Sequence, residues 1–181
     1  MTTMQETRNK VKSFPASVAL ATVTDLKPEE ARAITEAVNP LIADAFALYV
    51  KTKNFHWHLS GSHFRDYHLL FDEHAESIFD SIDIMAERVR KVGGTTIRSI
   101  SHISELQTIP DDDSDFVSPG DMVRRLMDDN SQIARNIRAA ISVCDRNRDS
   151  ATSNQLQDIL DKTERRIWFL FEVLQGTKNT E

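Results

Sequence analysis

The sequence predicts an all-α fold: four long amphipathic helices packed as a bundle, with a short extra helix in the long connection between the second and third. Three observations carry this expectation. Apolar residues recur at three- and four-residue spacing in four separate stretches. No stretch alternates with the period of two that a half-buried strand requires. Residues that start and stop helices bound each stretch. A chain of 181 residues is sized for one domain with a substantial core. The expected division is a flexible tail over 1–24, the bundle over 25–176 and a short C-terminal tail over 177–181.

The first helix opens near Pro28, with Glu29 and Glu30 in its favourable N-terminal turn. Ile34, Val38, Leu41, Ala45, Leu48, Thr52, Phe55 and Leu59 keep the helical spacing up to a break at Gly61. Pro40 interrupts that pattern and predicts a kink, or a restart capped by Asn39. The second helix runs from Ser62 to Val92 and stops at Gly93-Gly94. Phe64, Phe71, Ala75, Ile78, Ile82, Met85 and Val89 form its core stripe.

Residues 95–118 form a long connection with a short helix around Ile100 to Leu106, ended by Pro110 and the acidic run Asp111-Asp112-Asp113-Ser114-Asp115. That run reads as solvated loop. Ser118-Pro119-Gly120-Asp121 is a helix start, with Ser as cap and Pro at the first helical position. Val123, Leu126, Asn130, Ile133, Ile137, Ala140 and Cys144 carry the third long helix to about Asn147. Leu156, Ile159, Leu160, Thr163, Ile167, Leu170, Phe171 and Leu174 define the fourth, which Gly176 ends. A long crossover between two helix pairs is one of the known bundle connectivities.

Composition narrows the function classes. The net charge is −6, which argues against a broadly basic nucleic-acid surface. Met1 to Lys12 is polar with no apolar signal core, and no continuous run reaches the 18 apolar residues of a membrane span, so a cytoplasmic protein is expected. The single Cys144 cannot form an internal disulfide and falls on an apolar helical position, as small core filler. Arg8, Lys10 and Lys12 form a thin basic cluster, readable as a leader without a role or as an arm for phosphate backbones.

Chemistry concentrates between Phe55 and Arg88, where His56, His68, Asp72, Asp83 and Glu87 supply imidazoles and carboxylates. Such a mixed donor set suits iron, manganese or zinc. On a helix turning about 100° per residue, His68, Asp72, Asp83 and Glu87 share one stripe roughly 100° wide, set about 110° from the core stripe. The two pairs nonetheless lie about 16 Å apart along the axis, too far to hold one metal. Both 68 with 87 and 72 with 83 are symmetric about the same midpoint, between Ser77 and Ile78. An antiparallel two-fold mate therefore sets His68 beside Glu87 of a second copy and Asp72 beside Asp83. Phe79 and Ala86 share the stripe and give that interface something apolar to bury. His56, at the edge of the first helix's buried stripe, can meet metal held by the second helix.

His56-Trp57, Phe64, His68, Phe71-Asp72-Glu73, Asp83 and Ala86-Glu87-Arg88, closing with Gly93-Gly94, resemble the Dps family, the DNA-binding proteins from starved cells within the ferritin-like superfamily. The ligand intervals of 12, 4, 11 and 4 residues match, and the resemblance spans nearly the whole chain. It implies a hollow dodecamer built from two-fold dimers that oxidises Fe(II), preferentially with hydrogen peroxide, and stores ferric mineral, protecting the cell and its DNA. His56, His68 and Asp72 of one subunit, with Asp83 and Glu87 of the other, would hold two irons, or zinc or another divalent metal in their place. The resemblance further implies that Glu87 bridges the metals and that Trp57 contains radical damage, although packing is the commoner role of an aromatic. It places Asp149, and more weakly Asp145, at an iron-admitting pore. The chain lacks any Glu-x-x-His, so the intrasubunit site of ordinary ferritins is not encoded. His58 and His63 add imidazoles that either extend metal binding or are surface histidines. The alternative function is a nucleoid structural protein coating DNA through its N-terminal arms, with iron secondary.

Overall fold

A computed structural model describes residues 20–177. Five helices follow in order: α1 (Pro28–His58), α2 (Phe64–Lys91), α3 (Ile100–Leu106), α4 (Pro119–Arg146) and α5 (Ser150–Thr177). No strand occurs among the described residues. The expected basic arm at Arg8, Lys10 and Lys12 lies outside the described residues. The last five residues of the tail expected over 1–24 are tied back, because Arg90 donates to the Leu20 carbonyl at 2.7 Å.

Cross-helix pairs fix the directions of the helices. Lys53 meets Asp72 and His56 meets His68, so α1 and α2 run antiparallel. Arg148 meets Glu30, Asn136 meets Asp44 and Lys51 meets Asp129, so α1 and α4 also oppose each other. Arg165 meets Glu73, and Arg88 meets Thr152, which opposes α5 to α2. The bundle is thus up-down-down-up, with its one long crossover between α2 and α4.

Asp44 holds that crossover in place. It lies wholly buried inside α1 and accepts from the Ile109 amide at 3.0 Å, the Thr108 hydroxyl at 2.9 Å and the Asn136 amide at 3.2 Å. A buried carboxylate is tolerated only with such partners. By length and apolar content α1 is the one described helix that could cross a bilayer, yet its apolar face packs inside the bundle.

Pro40 neither restarts the helix nor receives a cap from Asn39. α1 is continuous, and Asn39 instead donates to the Thr95 carbonyl at 2.9 Å. Proline removes one intrahelical hydrogen bond, while Val38, Leu41 and Ile42 on either side are buried and hold the axis. Gly176 lies inside the last turn of α5 rather than beyond it. Two further positions differ from the expected stripes. Phe64 is 44% exposed at the first residue of α2, beyond the packed core. On α5 the buried stripe runs Leu156, Ile159, Thr163, Arg166, Leu170, Leu174, which turns Phe171 outward and Arg166 inward. Arg166 is satisfied there by Asn130, Ser77 and Thr163. Cys144 is fully buried, and desolvation pushes its thiol up to about 11.

Candidate metal centre

The short turn between α1 and α2 brings the histidines together. Gly61 adopts a φ of +108°, a conformation side chains rarely accept, and reverses the chain within five residues. His56, near the end of α1, then lies against His68, in the second turn of α2. Their rings stack with centroids 3.6 Å apart. His56 directs Nδ1 at the His68 carbonyl (2.9 Å), and His68 directs Nδ1 at the His56 carbonyl (3.0 Å). The carbonyls of a helix's last turn lack intrahelical donors, so His68 also satisfies an orphaned group of α1. With Nδ1 donating to a carbonyl, each neutral ring keeps its lone pair on Nε2, the atom left for a metal.

Asp72, one turn beyond His68, joins them: its Oδ1 is 4.0 Å from His56 Nε2. The same oxygen accepts from Lys53 Nζ at 2.6 Å, and that hydrogen bond holds the Asp72 carboxyl below its usual range. Nitrogen and carboxylate donors on one patch fit iron, manganese or zinc. Asp83 and Glu87 share an exposed face further along α2 and do not reach this patch. Glu87 pairs with Lys91 at 2.7 Å, which lowers its carboxyl pKa. Among the described residues, no three His, Cys, Asp or Glu side chains of one chain converge as a metal site. Asp83 borders an open apolar groove of about 640 Å³ lined by Ile42, Phe46, Phe79, Ala86 and Ile97.

The remaining candidates are placed as follows. Trp57 is 64% exposed beside His56. His58 is exposed with Nδ1 at the Asn54 carbonyl, and His63 stacks on Tyr67. Asp149 is not an open pore carboxylate: it is buried, ion-paired to Arg88 at 3.1 Å, and accepts from the Thr152 amide at the start of α5. A turn residue that caps a helix is drawn inward by its own hydrogen bonds. Asp145 is exposed. Sequence reasoning missed Lys53, whose one visible signal is its position three residues before His56, on the same face of α1.

The ferritin-like domain family matches residues 35–180. A low temperature-induced protein of Nostoc sp. is 34% identical over 152 residues, covering 83% of this chain and 85% of that protein. A DNA protection during starvation protein of Brevibacillus brevis is 30% identical over 138 residues, 76% of this chain and 92% of that protein. Among solved structures, DpsC from Streptomyces coelicolor superposes with a TM-score of 0.82 at 27% identity, covering 84% of this chain and 90% of that one. Matched to the ferritin-like domain family over residues 35–180, and 30% identical over 76% of its length to a DNA protection during starvation protein, this up-down-down-up bundle belongs to the Dps family of ferritin-like proteins.

Proposed function

We propose that this protein is a ferroxidase and iron store, with di-iron centres built between two-fold related copies of the chain and preferring hydrogen peroxide as oxidant. The observation that carries the reading is the division of donors. His56 and His68 stack on each other with Asp72 4.0 Å from His56 Nε2, Asp83 and Glu87 stand exposed further along α2, and among the described residues no three of these side chains converge within one chain. The apolar groove beside Asp83, with Phe79 half exposed, supports a second copy packing against that face. Curated relatives named for DNA protection during starvation are consistent with a protective role.

Two Fe(II) ions are the substrate. His56 and His68 offer Nε2, and Asp72 with the mate's Asp83 and Glu87 offers charge that offsets the cations. The resemblance to the Dps family assigns the bridge between them to Glu87. Holding the pair about 3.5 to 4 Å apart lets one peroxide take an electron from each ion. Two electrons and two protons convert it to two waters, so no hydroxyl radical leaves the site. Trp57, next to His56 in the sequence, would donate an electron should a single-electron oxidant form. The oxidised iron is stored within a hollow dodecamer in the cytoplasm.

Anaerobic Fe(II) titration of the apo-assembly, followed by peroxide, tests this reading. Two Fe(II) per subunit and one peroxide consumed per two Fe(II) are expected. His68→Ala with Asp72→Ala should abolish the fast phase with the assembly intact, and unchanged kinetics would reject the site.

A further inference from the structure

We propose that Phe64 is a positioning residue of this centre: its ring closes a three-ring stack that holds His68 ready for a divalent cation and favours the imidazole once Nε2 is bound. The proposal rests on the reading above that His68 is a ligand.

Phe64 is the first residue of α2 and sits one turn before His68 on the same face. Its ring stacks on His68 with centroids 5.0 Å apart and planes 27° apart, while His56 stacks on His68 at 3.6 Å. His68 is therefore sandwiched, and its Nδ1 is fixed on the His56 carbonyl. Rotation of the imidazole would break that bond and push into a ring on either side, so Nε2 is the atom left for a ligand. A large apolar ring that is 44% exposed is not needed for the core, and what it covers is a face of His68. An imidazole whose lone pair is shared with a cation is electron-poor, and the negative face of an aromatic ring attracts it. An aliphatic side chain of similar bulk lacks that attraction.

The experiment uses the assembled protein and Co(II), followed by its d–d absorption, with thermal unfolding of each metal-free variant. Phe64→Leu should weaken Co(II) binding by about three- to five-fold, the scale of an exposed cation–π contact. Phe64→Tyr should restore it, and neither should move the unfolding midpoint appreciably. Wild-type affinity in Phe64→Leu, alongside lost binding in a His68→Ala control, would overturn the role of Phe64 and leave the site standing. Losses in both Phe64→Leu and Phe64→Tyr that track a lowered midpoint would show a folding role and also overturn it. Wild-type binding by His68→Ala itself would instead remove the centre on which the proposal rests.

Discussion

His56 and His68 present Nδ1 to each other's backbone carbonyl, at 2.9 and 3.0 Å, across the junction of α1 and α2. The arrangement links folding to ligand readiness, because the bonds that join the two helices also set which nitrogen each ring leaves free. Asparagine places an amide near the position of Nδ1 but has no counterpart of Nε2. His68→Asn should therefore keep the hydrogen bond to the His56 carbonyl and lose metal binding, whereas His68→Ala loses both and keeps only the His56 half of the junction. One net hydrogen bond contributes about 0.5–1.5 kcal/mol, so His68→Ala should melt a few degrees below His68→Asn. Calorimetry of the metal-free proteins with Zn(II) titration checks both halves; metal binding by His68→Asn at wild-type strength would contradict the assignment.

Lys53 occupies a carboxylate oxygen that the proposed centre needs. An incoming cation must compete with its ammonium for Asp72 Oδ1. Lys53→Met removes that competitor and keeps the stem's bulk. Zn(II) affinity should rise several-fold by titration calorimetry, moderated because Asp72 is partly solvated and its interactions are screened. An unchanged or weaker affinity would contradict the competition.

Gly94 lies where the chain leaving α2 crosses α1. A Cβ added there would fall 2.0 Å from Thr35 Oγ1 and 3.0 Å from Thr35 Cγ2. Gly94→Ala should destabilise the chain by about 1–3 kcal/mol, the usual cost of forcing atoms into a packed site. Thr35→Ala in the same chain should recover most of the loss, since it removes the two nearest atoms and leaves only Thr35 Cβ, at 3.1 Å. Simple additivity of the two substitutions in chemical unfolding would contradict this close approach.

His74 gives a stability term with a definite sign. It is 2% exposed between α2 and α5, and burial together with Arg166 and Arg165 lowers its pKa to about 3. The unfolded chain binds a proton near the ordinary value of about 6.5 and the folded chain resists it. Stability from this group is full above that value and is lost as pH falls through the window toward 3, at up to about 1.4 kcal/mol per pH unit. His74→Leu should flatten the fall in unfolding free energy between pH 7 and pH 5 relative to wild type. Parallel slopes would show that the proton is accommodated.

Much of the fold was legible because local signals and burial agree. Ser118 caps α4 with its hydroxyl accepting from the Asp121 amide, and the short α3 spans Ile100–Leu106 as its apolar spacing suggests. The symmetry of 68 with 87 and 72 with 83 was visible because a straight helix converts spacing directly into geometry. What was illegible depends on tertiary partners. Asp44 anchors the crossover through residues 64, 65 and 92 positions away. Arg166 enters the core because three neutral oxygens await it, while hydropathy alone favoured Phe171. Asp149 faces inward because Arg88 and Thr152 claim it, and Lys53 matters only once α2 sets Asp72 beside it.

The central claim is that each metal centre draws His56, His68 and Asp72 from one chain and Asp83 and Glu87 from its mate. Subunit mixing tests it most directly: a His68→Ala/Asp72→Ala chain is unfolded and reassembled with an Asp83→Ala/Glu87→Ala chain, and peroxide-driven Fe(II) oxidation is measured. Each variant alone should be inactive, whereas a mixed pair rebuilds one intact centre of two, so random two-fold pairing should restore about a quarter of wild-type activity. No recovery in verified mixed assemblies would contradict the shared site.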